Sequence, residues 1–214
     1  MKSIKNIFIG AFITLFFLVS CGSNGQDVAN ETVKIGVQVW ASKNLNVAKF
    51  RNGDAIREAK TKEEWKEAGD KKQPAWCYYN NDPANGVKYG KLYNWYAVSD
   101  PRGLAPGGFH VPNFAEWATL EMFLGGTYQA GIQLKSTQGW EEPGQNGVNS
   151  SGFSGLPGGY RSSDGSDGFI GDTGGWWCSN AGDAVYRYLV AMGDSFEYNN
   201  SNKNGGFSVR CLKD

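Results

Sequence analysis

The chain has 214 residues, enough for one domain of ordinary size, and its 40% hydrophobic and 20% charged residues exclude a disordered polymer. The 21 basic and 21 acidic residues cancel, and no basic stripe occurs, which excludes the electrostatic footprint of a nucleic-acid binder. Thirty glycines and eight tryptophans favour a small β-containing fold with an aromatic core and long loops over one of long helices.

Taken in chain order, Met1-Lys2-Ser3-Ile4-Lys5 is a short positive segment, and Ile7 to Val19 is an apolar run of leader length, too short for a comfortable membrane span. It ends in Leu18-Val19-Ser20-Cys21, which resembles the bacterial lipobox, whose cysteine is acylated and becomes the first residue. The alternative is an ordinary secretory leader with a chance cysteine. Gly22-Ser23-Asn24-Gly25-Gln26-Asp27 reads as a polar tether, and Gly22 stands where an aspartate would signal inner-membrane retention. The expected division is therefore a leader over 1–20, a lipidated tether over 21–32 and a globular domain over 33–214. Losing Lys2 and Lys5 leaves 19 basic against 21 acidic residues, a net charge of about −2. The expected location is extracytoplasmic, on the outer membrane or cell surface, with the membrane reached through acyl chains on Cys21.

Val33 to Trp40 alternates as a strand does, with Ala41 to Val47 extended after it. Thr61 and Glu64 form a capping-box pattern for a short helix with Trp65 on its apolar side and Gly69 at its end. Pro74 to Tyr79 reads as a strand, and Asn80-Asn81-Asp82-Pro83 as a turn. Lys91 to Val98 has helical aromatic spacing through Leu92, Trp95 and Tyr96. Asn113 and Glu116 mark the clearest helix start, with Trp117, Leu120 and Leu124 on one face and Gly125-Gly126 as the stop. From Gly139 to Trp177 the composition is that of an irregular Gly-, Ser-, Asn- and Asp-rich region; Val185 to Met192 and Phe207 to Leu212 read as late strands. No repeat of fixed period is visible.

Six ordered landmarks carry a family resemblance. They are Tyr89-Gly90-Lys91-Leu92-Tyr93-Asn94-Trp95-Tyr96-Ala97-Val98, Gly103-Leu104-Ala105-Pro106 with Phe109-His110-Val111-Pro112, Glu116-Trp117, Ser151-Gly152-Phe153-Ser154-Gly155-Leu156-Pro157-Gly158-Gly159-Tyr160-Arg161, Trp176-Trp177, and Phe207-Ser208-Val209-Arg210-Cys211. Together they resemble the Fibrobacter succinogenes major paralogous domain, from about Val33 to Asp214. The helix start at Val111 to Trp117 and the terminal Gly206 to Arg210 segment are also similar to elements of C-type-lectin-like domains and of formylglycine-generating proteins. The resemblance implies an α+β, C-type-lectin-like fold: short helices around a twisted antiparallel sheet, with a long Gly-rich irregular loop region.

Outside the cytoplasm a disulfide is permitted, and Cys77, Cys178 and Cys211 allow one pair with one thiol left over. The resemblance implies Cys77–Cys211, because relatives usually carry both and commonly have serine at the place of Cys178. Cys178–Cys211 is the rival pairing, and three reduced, buried thiols the remaining alternative.

No catalytic residue is assigned. His110, the only histidine, reads as structural; no Cys pair has zinc spacing, and no nucleophile elbow or phosphate loop occurs. The resemblance to formylglycine-generating enzymes suggests an oxidase, but their two catalytic cysteines lie close together, whereas Cys178 and Cys211 are far apart. Glu141-Glu142-Pro143-Gly144 partly resembles a lectin calcium segment but lacks its amide oxygen. Asp164, Asp167 and Asp172 offer calcium-type oxygen ligands in a glycine-rich loop, with a solvated turn as the plain alternative. Trp140, Tyr160, Trp176 and Trp177 are candidate sugar-stacking residues, unless they form the core; in the adjacent pair one indole is expected inside and one at the surface. The expected function is non-catalytic binding of a glycan or another envelope macromolecule. A structural or adhesive protein and a degenerate formylglycine-generating relative are the alternatives.

Overall fold

The computed structural model describes residues 31–141, 145–180 and 182–214. The leader, the lipobox with Cys21, and Glu142-Pro143-Gly144 lie outside the described residues.

The first alternating run is a hairpin and not one strand. Thr32–Ile35 (β1) and Gln38–Ala41 (β2) pair antiparallel, because Gly36 adopts a left-handed φ of 61° and turns the chain. Arg57–Glu58 (β3) follows, then Lys62–Asp70 (α1). Thr61 caps α1 by accepting from the Glu64 amide, and Trp65 is buried as expected. Ala75–Cys77 (β4) is shorter than the sequence suggested, because the chain leaves it into a 3-10 turn at Tyr79–Asn81. The expected turn at Asp82-Pro83 instead starts Pro83–Tyr89 (α2), with Asp82 accepting from the Ala84 amide and proline at the first helical position. The Lys91 to Val98 segment divides into Leu92–Asn94 (β5) and Trp95–Val98 (α3), and Asn94 caps the latter.

Phe109–His110 (β6) precedes Phe114–Phe123 (α4), whose reciprocal capping box joins Asn113 and Glu116. Thr127–Leu134 (α5) follows Gly125-Gly126 and was not legible in the sequence. The region read as irregular carries three strands, Gly158–Arg161 (β7), Asp167–Ile170 (β8) and Thr173–Trp177 (β9). Then come Val185–Val190 (β10), Glu197–Asn200 (β11), Gly206–Phe207 (β12) and Leu212–Lys213 (β13).

Among the described residues the strands form two sheets. One has four strands in the order β1-β2-β13-β6. The other runs β11-β10-β9-β7-β12-β5-β4-β3, with β8 paired to β7. Most pairs are antiparallel; β3–β4 and β7–β9 are parallel. The fold is therefore α+β, with short helices around antiparallel and mixed sheets.

Large aromatics fill the interior. One cluster gathers Trp76, Tyr93, Trp95, Trp177 and Phe207; a second gathers Trp40, Trp117, Trp140, Phe153 and Trp176; a third surrounds Trp65. Arg210 is fully buried without a carboxylate: its guanidinium donates to the carbonyls of Ala41, Ser42 and Phe153 and to Asn44 Oδ1, and it lies over the Phe153 ring. Burial lowers its pKa to about 9, and these acceptors satisfy a cation that would otherwise be expensive to enclose.

Among the described residues the cysteines form no disulfide. Cys77, Cys178 and Cys211 are free and buried, and each belongs to a different hydrophobic cluster, which corrects the expected Cys77–Cys211 bond and its Cys178–Cys211 rival. Burial pushes all three thiols up to about 12, so none has thiolate character at neutral pH.

Candidate functional site

Most of the expected sugar-stacking residues are core. Trp140 is 4% exposed, and Trp176 and Trp177 are fully buried. Strand alternation does send the last two to opposite faces of β9, but both faces are covered: Trp176 joins the second cluster and Trp177 the first. The expected surface indole is thereby corrected. Tyr160 alone of the four keeps partial exposure.

The three candidate calcium ligands are also dispersed. Asp164 accepts from the amide and hydroxyl of Ser166 within its own turn. Asp167 receives two bonds of 2.9 Å from the buried Arg161 guanidinium. Asp172 accepts from the Thr173 hydroxyl. Among the described residues no three His, Cys, Asp or Glu side chains gather as a metal would require. Burial raises the Asp167 carboxyl pKa, and the charge and hydrogen bonds of Arg161 oppose that rise.

What the fold does assemble around Tyr160 is a continuous stack of aromatic rings across four strands. Phe169 of β8 stacks on Tyr160 of β7 at 5.5 Å between centroids and 15° between planes. Tyr160 stacks on Phe207 of β12 at 5.6 Å, and Phe207 on Tyr186 of β10 at 4.1 Å. Tyr188 leans on Tyr186 at 5.6 Å. Phe207 is the buried floor; Tyr160, Tyr186 and Tyr188 are half-buried, and Phe169 is 57% exposed. Trp177 meets Phe207 edge-on from within the core, so the stack is fixed from below.

Two backbone features make the stack possible. Gly175 on β9 leaves the space that the rings occupy, since a Cβ there would lie 2.7 Å from Phe207 Cδ1. Phe169 has a φ of 65°, a left-handed conformation that a bulky side chain rarely adopts. Tyr160 pairs with Gly168, so regular alternation would send the next ring, Phe169, to the opposite face. The left-handed turn brings it back against Tyr160. Backbone strain of this kind costs on the order of 1–3 kcal/mol and clusters at functional sites.

The rings inside the stack already face one another, so the exposed aromatic face is that of Phe169, backed by Tyr160, with Tyr186 and Tyr188 further along the stack. Polar partners lie at the other end. The Tyr188 hydroxyl donates to Glu197 Oε2 at 2.9 Å, and Ser195 donates to Glu197 Oε1. Burial, then the bond to Glu197, raises the Tyr188 pKa, so its hydroxyl stays protonated near neutral pH. The Phe169 end of this surface can pack against the apolar face of a ring. Sequence reasoning missed Phe169, Tyr186 and Tyr188. The Tyr186-Arg187-Tyr188 alternation placed two of them on one face and was available as a signal.

Elsewhere, titratable groups with altered pKa values are tied into structural networks. His110 Nδ1 lies 2.8 Å from Asp214 and Nε2 2.8 Å from Glu116. Lys91 donates to Asn46 and to the Tyr78 hydroxyl beneath the Trp76 and Tyr78 rings, and its burial lowers its pKa to about 8.

The model of the family described as the Fibrobacter succinogenes major domain matches residues 33–213. No curated protein and no solved structure matches the chain.

Proposed function

The chain belongs to the Fibrobacter succinogenes major domain family, and we propose that it is a lipid-anchored envelope protein whose domain binds glycans without catalysing a reaction. The observation that carries this reading is the exposed, left-handed Phe169 stacked on Tyr160. An aromatic face held in the open at the cost of backbone strain suits the C–H face of a pyranose ring. The C-type-lectin-like architecture belongs to the same proposal. It is supported by the mixed sheets, the short capped helices and the long connection between α5 and β7, whose described residues lie in no strand.

The anchor rests on the lipobox-like Leu18-Val19-Ser20-Cys21 and the polar residues after it. No helix among the described residues is long and apolar enough to cross a membrane. The extracytoplasmic site, at the outer membrane or cell surface, is proposed with the anchor.

The test is a glycan array probed with the domain 26–214, in calcium and in chelator. The reading expects one glycan class to bind in both conditions, since the Asp164, Asp167 and Asp172 carboxylates are separately engaged. A blank array, with capture of one defined envelope protein, would favour the structural or adhesive alternative.

A further inference from the structure

The largest exposed aliphatic and aromatic side chains outside the stack include Val37 at the tip of the β1–β2 hairpin, 87% exposed, and Met122 and Phe123 in the last turn of α4, 78% and 62% exposed. Val37 and Phe123 line one shallow groove of about 450 Å³ between hairpin and helix. The groove is a built feature: Gly36 passes directly beneath Phe123, so that a Cβ at 36 would sit 2.9 Å from the ring Cγ. Lys34 is the charged side chain in the lining, and Thr119 completes the helix side. Glu121, the acidic residue of that helical turn, is withdrawn into an ion pair with the buried Arg187. The patch thus offers apolar side chains and a cation, with the nearby carboxylate neutralised.

We propose that this patch is the face the domain lays on a lipid bilayer. The occupant follows from where the chain enters the fold. Ten residues, 22–31, separate Cys21 from Thr32 at the start of β1, and β1 leads directly to Val37. Fully extended, ten residues reach at most about 33–36 Å. A lipid on Cys21 therefore keeps Thr32 within that reach of the membrane, a span longer than β1 itself, so the hairpin tip can meet the bilayer; the proposal rests on the lipid-anchor reading. Exposed apolar side chains flanked by a lysine are the pattern of interfacial attachment: the apolar groups enter the acyl boundary and the cation meets anionic headgroups. The acyl chains on Cys21 supply the anchor, and a protein-borne apolar contact adds to it and fixes the domain's orientation.

The test uses the full lipidated chain purified from membranes and returned to phosphatidylethanolamine–phosphatidylglycerol vesicles. Bimane is attached at Val37→Cys, at Phe123→Cys and, as a control, at Val87→Cys, which is 89% exposed on α2. The buried native thiols stay unlabelled in the folded protein. Lipids brominated in their acyl chains are expected to quench positions 37 and 123 at least threefold more than position 87. Vesicle-bound protein with equal quenching at all three would overturn the membrane face while leaving the anchor intact. Weak quenching at 37 and 123 with oxidative dimerisation of Val37→Cys would overturn it in favour of a second copy on the patch. Protein that fails to float with vesicles would overturn the anchor reading and this proposal with it.

Discussion

Trp176 and Trp177 are neighbours in β9, yet their indoles stand in two different cores on opposite faces of one sheet. Trp176 meets Phe153 edge-on at 5.5 Å and donates to Asn44 Oδ1, whereas Trp177 packs on Trp95 and Phe207 and donates to the Tyr93 carbonyl. The pair joins the two halves of the interior through a single peptide bond. Replacing either by alanine empties an indole-sized volume, and each variant is expected to lose about 3–5 kcal/mol in urea unfolding. A loss below about 1 kcal/mol for either would show that side chain to be peripheral.

Phe169 lies at the strained end of the stack. Glycine adopts a φ of 65° freely, so Phe169→Gly removes the strain while sacrificing a contact that is already more than half in water. Its stability is expected to stay within about 1 kcal/mol of wild type, whereas a substitution in a packed β-strand core would cost more. Thermal unfolding of the two proteins measures this, and a large destabilisation would assign Phe169 a structural role.

His110 couples β6 to the first turn of α4 and to the C-terminal Asp214. A neutral imidazole has one N–H, so bonding to both carboxylates favours the doubly protonated ring. Burial lowers its pKa, but the hydrogen bonds to Asp214 and Glu116 outweigh that, and the net shift is upward from 6.5. The sign follows: the stabilisation is fully present below about pH 6.5 and is lost as pH rises through the raised folded value. Because the ring is partly in water, the expected contribution is about 1 kcal/mol or less. The stability difference between wild type and His110→Gln should shrink between pH 6 and pH 8.5. A constant difference would contradict the coupling.

The three domain cysteines are expected to resist alkylation in the folded state. Unfolded without reductant, all three should react, adding three labels by mass spectrometry. One label under the same conditions would reveal a disulfide between two of them, and the labelled cysteine would say which pair.

The parts of the fold legible in the sequence are those written in local chemistry. The Asn113–Glu116 capping box needs only residues three apart, as does the Thr61 cap, and both helices start where the sequence places them. The Phe207 to Leu212 segment alternates like one strand but serves two sheets. Between β12 and β13 its backbone bonds pass to Gly175, Leu45 and Ala41, which are partners distant in sequence. The burial of both Trp176 and Trp177 was hidden for the same reason, since hydropathy reports alternation but not whether the second face is covered. The site was half legible: Tyr160 was singled out as an aromatic in a glycine-rich stretch, whereas Phe169 owes its position to a backbone angle that no residue pattern announces.

The central claim is that the Phe169–Tyr160 end of the stack binds sugar. The most direct measurement is a calorimetric titration of the array's strongest glycan into wild type and Phe169→Ala, both checked for folding. The account predicts at least a tenfold loss of affinity, about 1.4 kcal/mol, with folding retained. Equal affinity in the two proteins would contradict it and move the binding site elsewhere on the domain.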